Sequence, residues 1–294
     1  MTAAAPTPLV RVELEPGVGV WAKLDFLNPS GSTKDRVARY ILEDAQRRSQ
    51  LHPGDLVIEA SSGSTSIAMA LACARMGLRF MAVMPEGVSD ERTLMIRAFG
   101  GEIRMTPRAG GIRGAIAECE RLGAEHNAFL PRQFSNILNV EAHQYGTAPE
   151  ILAALPEVSA VVSGVGTGGT LMGLALGCRD AIPVYARPID YLTSDPECCS
   201  FSARIPGVAE CVSRLFREDS LPNLETIEVR AEDAIAVTRR IIASGYPVGP
   251  SSGLNYCAAL QIARRMGPAA NVVTVFPDRM ERYFTTRLFD PYRE

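Results

Sequence analysis

Apolar runs and helix-period segments alternate along most of the chain. "DLVIEA" (55–60), "RFMAVM" (79–84), "EIRMT" (102–106), "AVVSGV" (160–165), "PVYARPI" (183–189) and "NVVTVFP" (271–277) are short and rich in β-branched residues, and they read as strands. Between them, "STSIAMALACARMG" (64–77), "SDERTLMIRAFG" (89–100), "TLMGLALGC" (170–178), "AEDAIAVTRRIIASG" (231–245) and "LNYCAALQIARRMG" (254–267) read as helices. The first of these is apolar on every side, which predicts burial. The second shows an apolar stripe. Gly77, Gly100, Gly123, Gly245 and Gly267 stand where helices are expected to close. Strands that alternate with helices make βαβ units, so the fold class is α/β with a mainly parallel sheet covered by helices.

A new strand follows "GTAPEILAALPEVSA" (146–160), which puts a join between two α/β halves there. Segment 192–222 has little periodicity and reads as loops with short helical pieces, of the kind that shape the entrance to a site. Its Arg204, Arg214 and Arg217 are either solvated surface charges or attractors for an anion. The 294 residues and 47% hydrophobic content suit one large domain or two closely joined ones.

Charge and composition mainly exclude. A net charge of −3 with no basic block leaves no footprint for nucleic acid. No apolar stretch is long enough to cross a bilayer, and the first residues lack the pattern of a secretory signal. Seven cysteines without a C-x-x-C suit reduced thiols in a cytoplasmic protein. Three histidines far apart argue against a histidine-built metal site, and no metal is expected.

Three loops carry the candidate chemistry. In "SGVGTGGTLMG" (163–173), Gly164, Gly166, Gly168 and Gly169 let backbone approach a ligand, and the helix that follows offers free N–H groups. Thr167 and Thr170 add hydroxyls, so the loop reads as a phosphate cradle. It lacks the Gly-Lys-Ser/Thr of a P-loop. Gly164, Gly166 and Gly169 do satisfy G-x-G-x-x-G, with Asp190 about twenty residues on, so this loop alone is compatible with NAD. In "EASSGSTS" (59–66), Ser61, Ser62, Ser64, Thr65 and Ser66 surround Gly63 in excess of what a helix cap needs, and they suit a carboxylate. In "YPVGPSSGLNY" (246–256), Ser251 or Ser252 is either the N-cap of a helix from Leu254 or a ligand contact.

The amine narrows these alternatives. Lys23 and Lys34 are the only lysines among 30 basic residues, and Lys34 follows the small, flexible run of "NPSGSTKDR" (28–36). Guanidinium cannot form a Schiff base, whereas a lysine amine can. A nicotinamide enzyme would leave Lys34 and the serine loop unused. A phosphorylated aldehyde uses every part: lysine for the aldehyde, the glycine loop for the phosphate, the serine loop for an amino-acid carboxylate. That cofactor is pyridoxal 5'-phosphate.

With these motifs in this order, the chain resembles the cysteine synthase family of fold-type II pyridoxal-phosphate enzymes, from "NPSGSTKDR" to "DRMERYFTTRLF". The ending is somewhat more similar to the B type. The resemblance implies that Lys34 is the Schiff-base lysine and that Gly166, Thr167, Gly168, Gly169 and Thr170 hold the phosphate. Ser61, Ser62, Gly63, Thr65 and Gln133 would bind the substrate carboxylate, and Ser251 would meet the pyridine nitrogen. Ser64 stands where the family has an asparagine at the cofactor's ring oxygen, Ser66 replaces a glycine, and "YGTAPEI" replaces T-T-G-P-E-I.

The family's architecture implies two doubly wound, mainly parallel three-layer αβα domains with the cofactor in the cleft between them. The smaller, mobile one would span 36–145, and the larger 1–35 plus 146–294. The implied partners are an amino-acid substrate, a small nucleophile and a second copy in a homodimer, with no nucleic acid and no membrane. The implied activity is that of a transferase in amino-acid biosynthesis. It would carry out β-replacement on O-acetyl-L-serine or O-phospho-L-serine through an aminoacrylate, making L-cysteine from sulfide or another sulfur donor. The alternatives are a non-sulfide nucleophile giving another β-substituted alanine, elimination as in a serine or threonine dehydratase, a catalytically silent pyridoxal-phosphate-binding partner, and an NAD-binding dehydrogenase.

Overall fold

The computed structural model describes residues 5–189, 205 and 213–293. Strands β1 (Leu9–Glu15) and β2 (Val18–Lys23) form an antiparallel hairpin. Helix α1 (Lys34–Arg47) then carries the chain to a separate three-stranded sheet of β3 (Leu56–Ala60), β4 (Arg79–Pro85) and β5 (Glu102–Thr106). These strands are parallel and lie in chain order. Helices α2 (Ser64–Met76), α3 (Asp90–Ala98) and α4 (Gly111–His126) follow them in turn.

Helix α5 (Leu138–Ala142), a π-helical turn over His143–Thr147 and helix α6 (Ala148–Ala154) lead back to the first sheet. There β6 (Ala160–Ser163), helix α7 (Gly169–Gly177), β7 (Ile182–Ile189), β8 (Glu225–Arg230), helices α8 (Ala231–Ala243) and α9 (Pro250–Met266), and β9 (Val272–Val275) follow, with short 3-10 turns besides. The strand order is β1-β2-β9-β6-β7-β8, and every pair except the opening hairpin is parallel. Each sheet is covered on both faces. In the small lobe, residues of α1 and α2 pack on one side and those of α4 on the other. In the large lobe, α8 and α9 lie opposite α6 and α7. The fold is the expected α/β architecture with two sheets.

The chain passes between lobes at α1, so the boundary drawn at 35/36 falls within the first turn of that helix. A buried charge cluster fixes this crossing. Arg36 pairs with Asp25 at 2.9 Å and Glu150 at 2.6 Å, and Lys23 reaches the same Glu150 at 2.6 Å. Thr33 and Thr7 donate to Asp25 at 2.8 Å each. The cations hold the Asp25 carboxyl down to about 2 despite its complete burial. Glu150 comes from the departing "YGTAPEI" stretch, so one carboxylate ties α6, β2 and α1 together.

Three sequence expectations change. Gly123 does not close a helix: α4 runs past it to His126, and Asn127 takes the left-handed conformation beyond. Gly123 is small for packing, since a Cβ there would meet Leu130 at 2.7 Å. Helix α9 begins at Pro250, not Leu254, so its N-cap is Gly249, and Ser251 and Ser252 lie inside the first turn. The stripe on α3 is inverted in part, with Leu94 62% exposed and Arg92 only 7%. Helix α2 is buried along most of its length, as its all-round apolarity predicts.

Candidate active site

The loops after β3 and β6, the start of α1 and the segment after β9 meet between the lobes. Lys34, Ser61, Ser62, Ser64, Thr65, Gln133 and Thr167 line one cavity of about 50 Å³, together with Arg92, Phe134 and Tyr283. That volume admits a few waters. A larger guest requires the lobes to part or lining side chains to turn.

Lys34 is the first residue of α1, held by backbone bonds that pair residues 31–33 with 277–279. Burial lowers its proton affinity, opposed first by the charge of Asp278 and then by that of Asp25. Lys23, the other lysine, is fully buried against Glu150 and Thr7. Only Lys34 faces the cavity, so geometry separates two amines that composition left equivalent.

The serine loop is braced from beneath. The Ser61 hydroxyl accepts the N–H groups of Gly63 at 3.0 Å and Ser66 at 3.3 Å, which curls the loop into the start of α2. Thr65 donates to Gln133 Oε1 at 2.5 Å, and Gln133 Nε2 donates to the Ala60 carbonyl at 2.7 Å. Below them Glu59 accepts the N–H groups of Ala60 at 2.9 Å and Gln133 at 3.1 Å. Burial pushes this carboxyl up to about 8.

The glycine loop lies at the N-terminus of α7. Gly168 has φ +83°, and a Cβ there would stand 2.6 Å from that of Phe216; one on Gly169 would stand 2.6 Å from Asn139 Cγ. The loop is therefore clasped on its outer side by α5 and by 213–216. Asn139 donates to Thr167 Oγ1 at 2.9 Å, and Ser213 to the Thr167 carbonyl. Thr170 bonds His143 at 3.2 Å, a ring that burial keeps neutral down to about 3. Gly166 belongs to the same loop. Ser251 does not line the cavity; it is half-buried in the first turn of α9.

Sequence reading missed Arg92, Asp278 and Tyr283. Arg92 donates to the Ser62 carbonyl at 3.2 Å, with its guanidinium 5.1 Å from the centre of the Tyr283 ring. Asp278 accepts from Tyr283 at 2.6 Å and Ser64 at 3.1 Å. The Ser64–Asp278 and Arg92–Tyr283 contacts join residues some two hundred positions apart, beyond any local pattern. Arg214 and Arg217 do not line the cavity, and Asp190 and Arg204 lie outside the described residues.

The site fits a polar, phosphorylated guest. Among the described residues, buried side-chain atoms without a hydrogen-bond partner include those of Arg92 in the cavity lining, Ser66 at the end of the serine loop, Asn139 behind the glycine loop and Asp278 beside Ser64. Unsatisfied buried polar groups are costly, and those around this cavity are available to a polar ligand. The N–H of Gly164, first glycine of the dinucleotide pattern, is already taken by Asn255 at 2.7 Å.

Comparison with known proteins agrees. The family model described as pyridoxal-phosphate dependent enzyme matches residues 1–278. Cysteine synthase B of Campylobacter jejuni is 38% identical, over 96% of this chain and 95% of its own. Among solved structures, O-ureido-L-serine synthase superposes with a TM-score of 0.88 at 32% identity, covering 98% of this chain and 94% of that one. The O-acetylserine dependent cystathionine beta-synthase of Helicobacter pylori gives 0.86 at 30% identity, covering 97% and 96%.

Proposed function

Since the chain belongs to the pyridoxal-phosphate dependent enzymes and shares the cysteine synthases' β-replacement chemistry on serine-derived substrates, we propose that it replaces the β-substituent of O-acetyl-L-serine or O-phospho-L-serine with sulfide, making L-cysteine. The observation that carries this reading is the convergence on one cavity of Lys34, the serine loop and Gln133, beside Thr167 of the glycine loop. Bound pyridoxal phosphate supplies the electron sink that makes the Cα proton acidic and lets the β-group leave.

In this reading the chain's own residues do the rest. Lys34 anchors the cofactor, then takes the Cα proton and returns it, and its lowered proton affinity suits that exchange. Ser61, Ser62, Gly63, Thr65 and Gln133 grip the substrate carboxylate. The Gly166–Thr170 loop holds the phosphate at the N-terminus of α7, where helix N–H groups favour an anion. By the family resemblance, Ser251 would meet the pyridine nitrogen and Ser64 the ring oxygen. Movement of the small lobe admits the substrate and then excludes water.

A second reading keeps the electrophile and changes the nucleophile. Similarity to O-ureido-L-serine synthase favours it, since that name specifies a product other than cysteine. Product analysis separates the readings. Holoenzyme supplied with O-acetylserine or O-phosphoserine and sulfide yields cysteine on the first, while faster turnover with an amine, hydroxylamine-type or thiol acceptor establishes the second. Release of pyruvate from either serine at the same rate with and without every nucleophile contradicts both.

A further inference from the structure

Asp278 has an oxygen to spare at the point where three parts of the site meet. Its side chain is 6% exposed. Oδ2 accepts from the hydroxyls of Ser64 and Tyr283, while Oδ1 is buried without a partner. Oδ1 lies against the bare Cα of Gly249, where a Cβ would overlap it, one residue before α9 and two before Ser251. The backbone is fixed as well: Asp278 pairs with Ser32 in an antiparallel bridge, and its carbonyl accepts the Gly249 N–H at 2.9 Å. Directly opposed residues of an antiparallel pair present their side chains on the same face. Asp278 therefore stands beside the segment that ends in Lys34, and it spans from the serine loop to the turn before Ser251.

A buried carboxylate oxygen left unpaired is unfavourable unless a donor or a cation arrives. Lys34, two residues beyond the Ser32 that pairs with Asp278, is a lysine on which this carboxylate acts. Of the charges that act on Lys34, Asp278 is the strongest and Asp25 the second. Asp25 is already committed to Arg36, Thr33 and Thr7. His143 feels the Lys34 charge and stays neutral. Arg92 and Arg282 act on Tyr283, and burial beside Asp278 holds the Tyr283 phenol protonated, a donor rather than a competing anion.

We propose that Asp278 is a positioning residue for the charge on the Lys34 nitrogen. Tyr283 and Ser64 aim its carboxylate, which raises the proton affinity of that nitrogen against the opposing effect of burial. This deepens the proposed function and rests on it. It also accounts for Ser64. Where the related enzymes carry an asparagine, the shorter hydroxyl here donates to Asp278 and helps to aim it. A negative charge within a few ångströms raises the proton affinity of a cationic nitrogen by about one to three pH units.

The test is a spectroscopic pH titration of the purified holoenzyme, following the visible band of the bound cofactor, with Asp278→Asn, Asp278→Ser and Asp278→Glu. Asp278→Asn removes the charge with little change of volume and Asp278→Ser removes it with a smaller side chain, and either one that folds gives the reading. Both should lower the midpoint of the spectral change by about one pH unit or more, with Asp278→Glu returning it towards wild type. A midpoint unchanged in a folded neutral variant overturns the proposal while leaving the proposed function standing. Wild-type protein that shows no visible band after reconstitution overturns the function and this proposal together.

Discussion

Glu59 illustrates how much of the site depends on residues that never meet substrate. It is buried, accepts two backbone N–H groups and so fixes both the end of β3 and the backbone of Gln133. Its proton affinity is raised from 4.5 to about 8, so the native state binds the proton more tightly than the unfolded chain. The stability this contributes is complete below pH 4.5 and is lost as pH climbs to about 8. Glu59→Gln should remove that slope, so denaturant midpoints of wild type and variant plotted against pH should diverge across this window. Glutamine also turns an amide donor towards one of the two N–H groups, which should raise KM for the amino-acid substrate more than it lowers kcat. Parallel midpoint curves would show that Glu59 does not titrate there. At this scale legibility was uneven. Gln133 and the serine loop were recognisable because the motif is contiguous. Arg92 was not, because on α3 it occupies a buried place while Leu94 faces solvent, the reverse of what hydrophobic patterning assigns.

Among the elements, the glycine loop is defined by what packs behind it. Gly169 faces Asn139 so closely that a methyl group would collide with its amide carbon, and Gly168 combines positive φ with contact against Phe216. Gly169→Ala should therefore displace α5 or the start of α7 and weaken pyridoxal-phosphate binding by at least tenfold, measured by titrating the apoprotein with cofactor. Thermal stability should fall by about 1–3 kcal/mol, as for other overpacked positions. Unchanged cofactor affinity would mean that the loop does not hold the phosphate. The strands and helices around this loop were legible because Val, Ile and Ala runs that are buried on both faces have little alternative. The start of α9 was not, since Pro250 at the first helical position outweighed the two serines as a boundary signal. Gly123 misled for a related reason: a glycine required by the Leu130 contact looks the same in sequence as one required by a helix end.

At the level of the whole molecule, the two lobes are tied through the charges around the start of α1, and this arrangement is acid-sensitive. Asp25, held down to about 2 against an ordinary 3.8, contributes stability that is present above 3.8 and lost as pH falls through 2. His143, kept neutral to about 3 against 6.5, adds a loss that begins as pH drops below 6.5. Asp25→Asn leaves Arg36 partly uncompensated and should cost about 3–5 kcal/mol in chemical unfolding at neutral pH; a cost within experimental error would show that the cluster does not hold the crossing. Composition placed Lys23 and Lys34 on an equal footing and only the flanking motif singled out Lys34, because the partners that bury Lys23 come from Thr7 and from Glu150, far along the chain. That distinction now carries the central claim. Reconstituting the protein with pyridoxal phosphate, reducing it with borohydride and mapping the added mass by peptide analysis tests the claim most directly. The full addition should lie on Lys34 and disappear in Lys34→Ala, whereas modification of Lys23, or an intact protein of unchanged mass, would contradict Lys34 as the anchor.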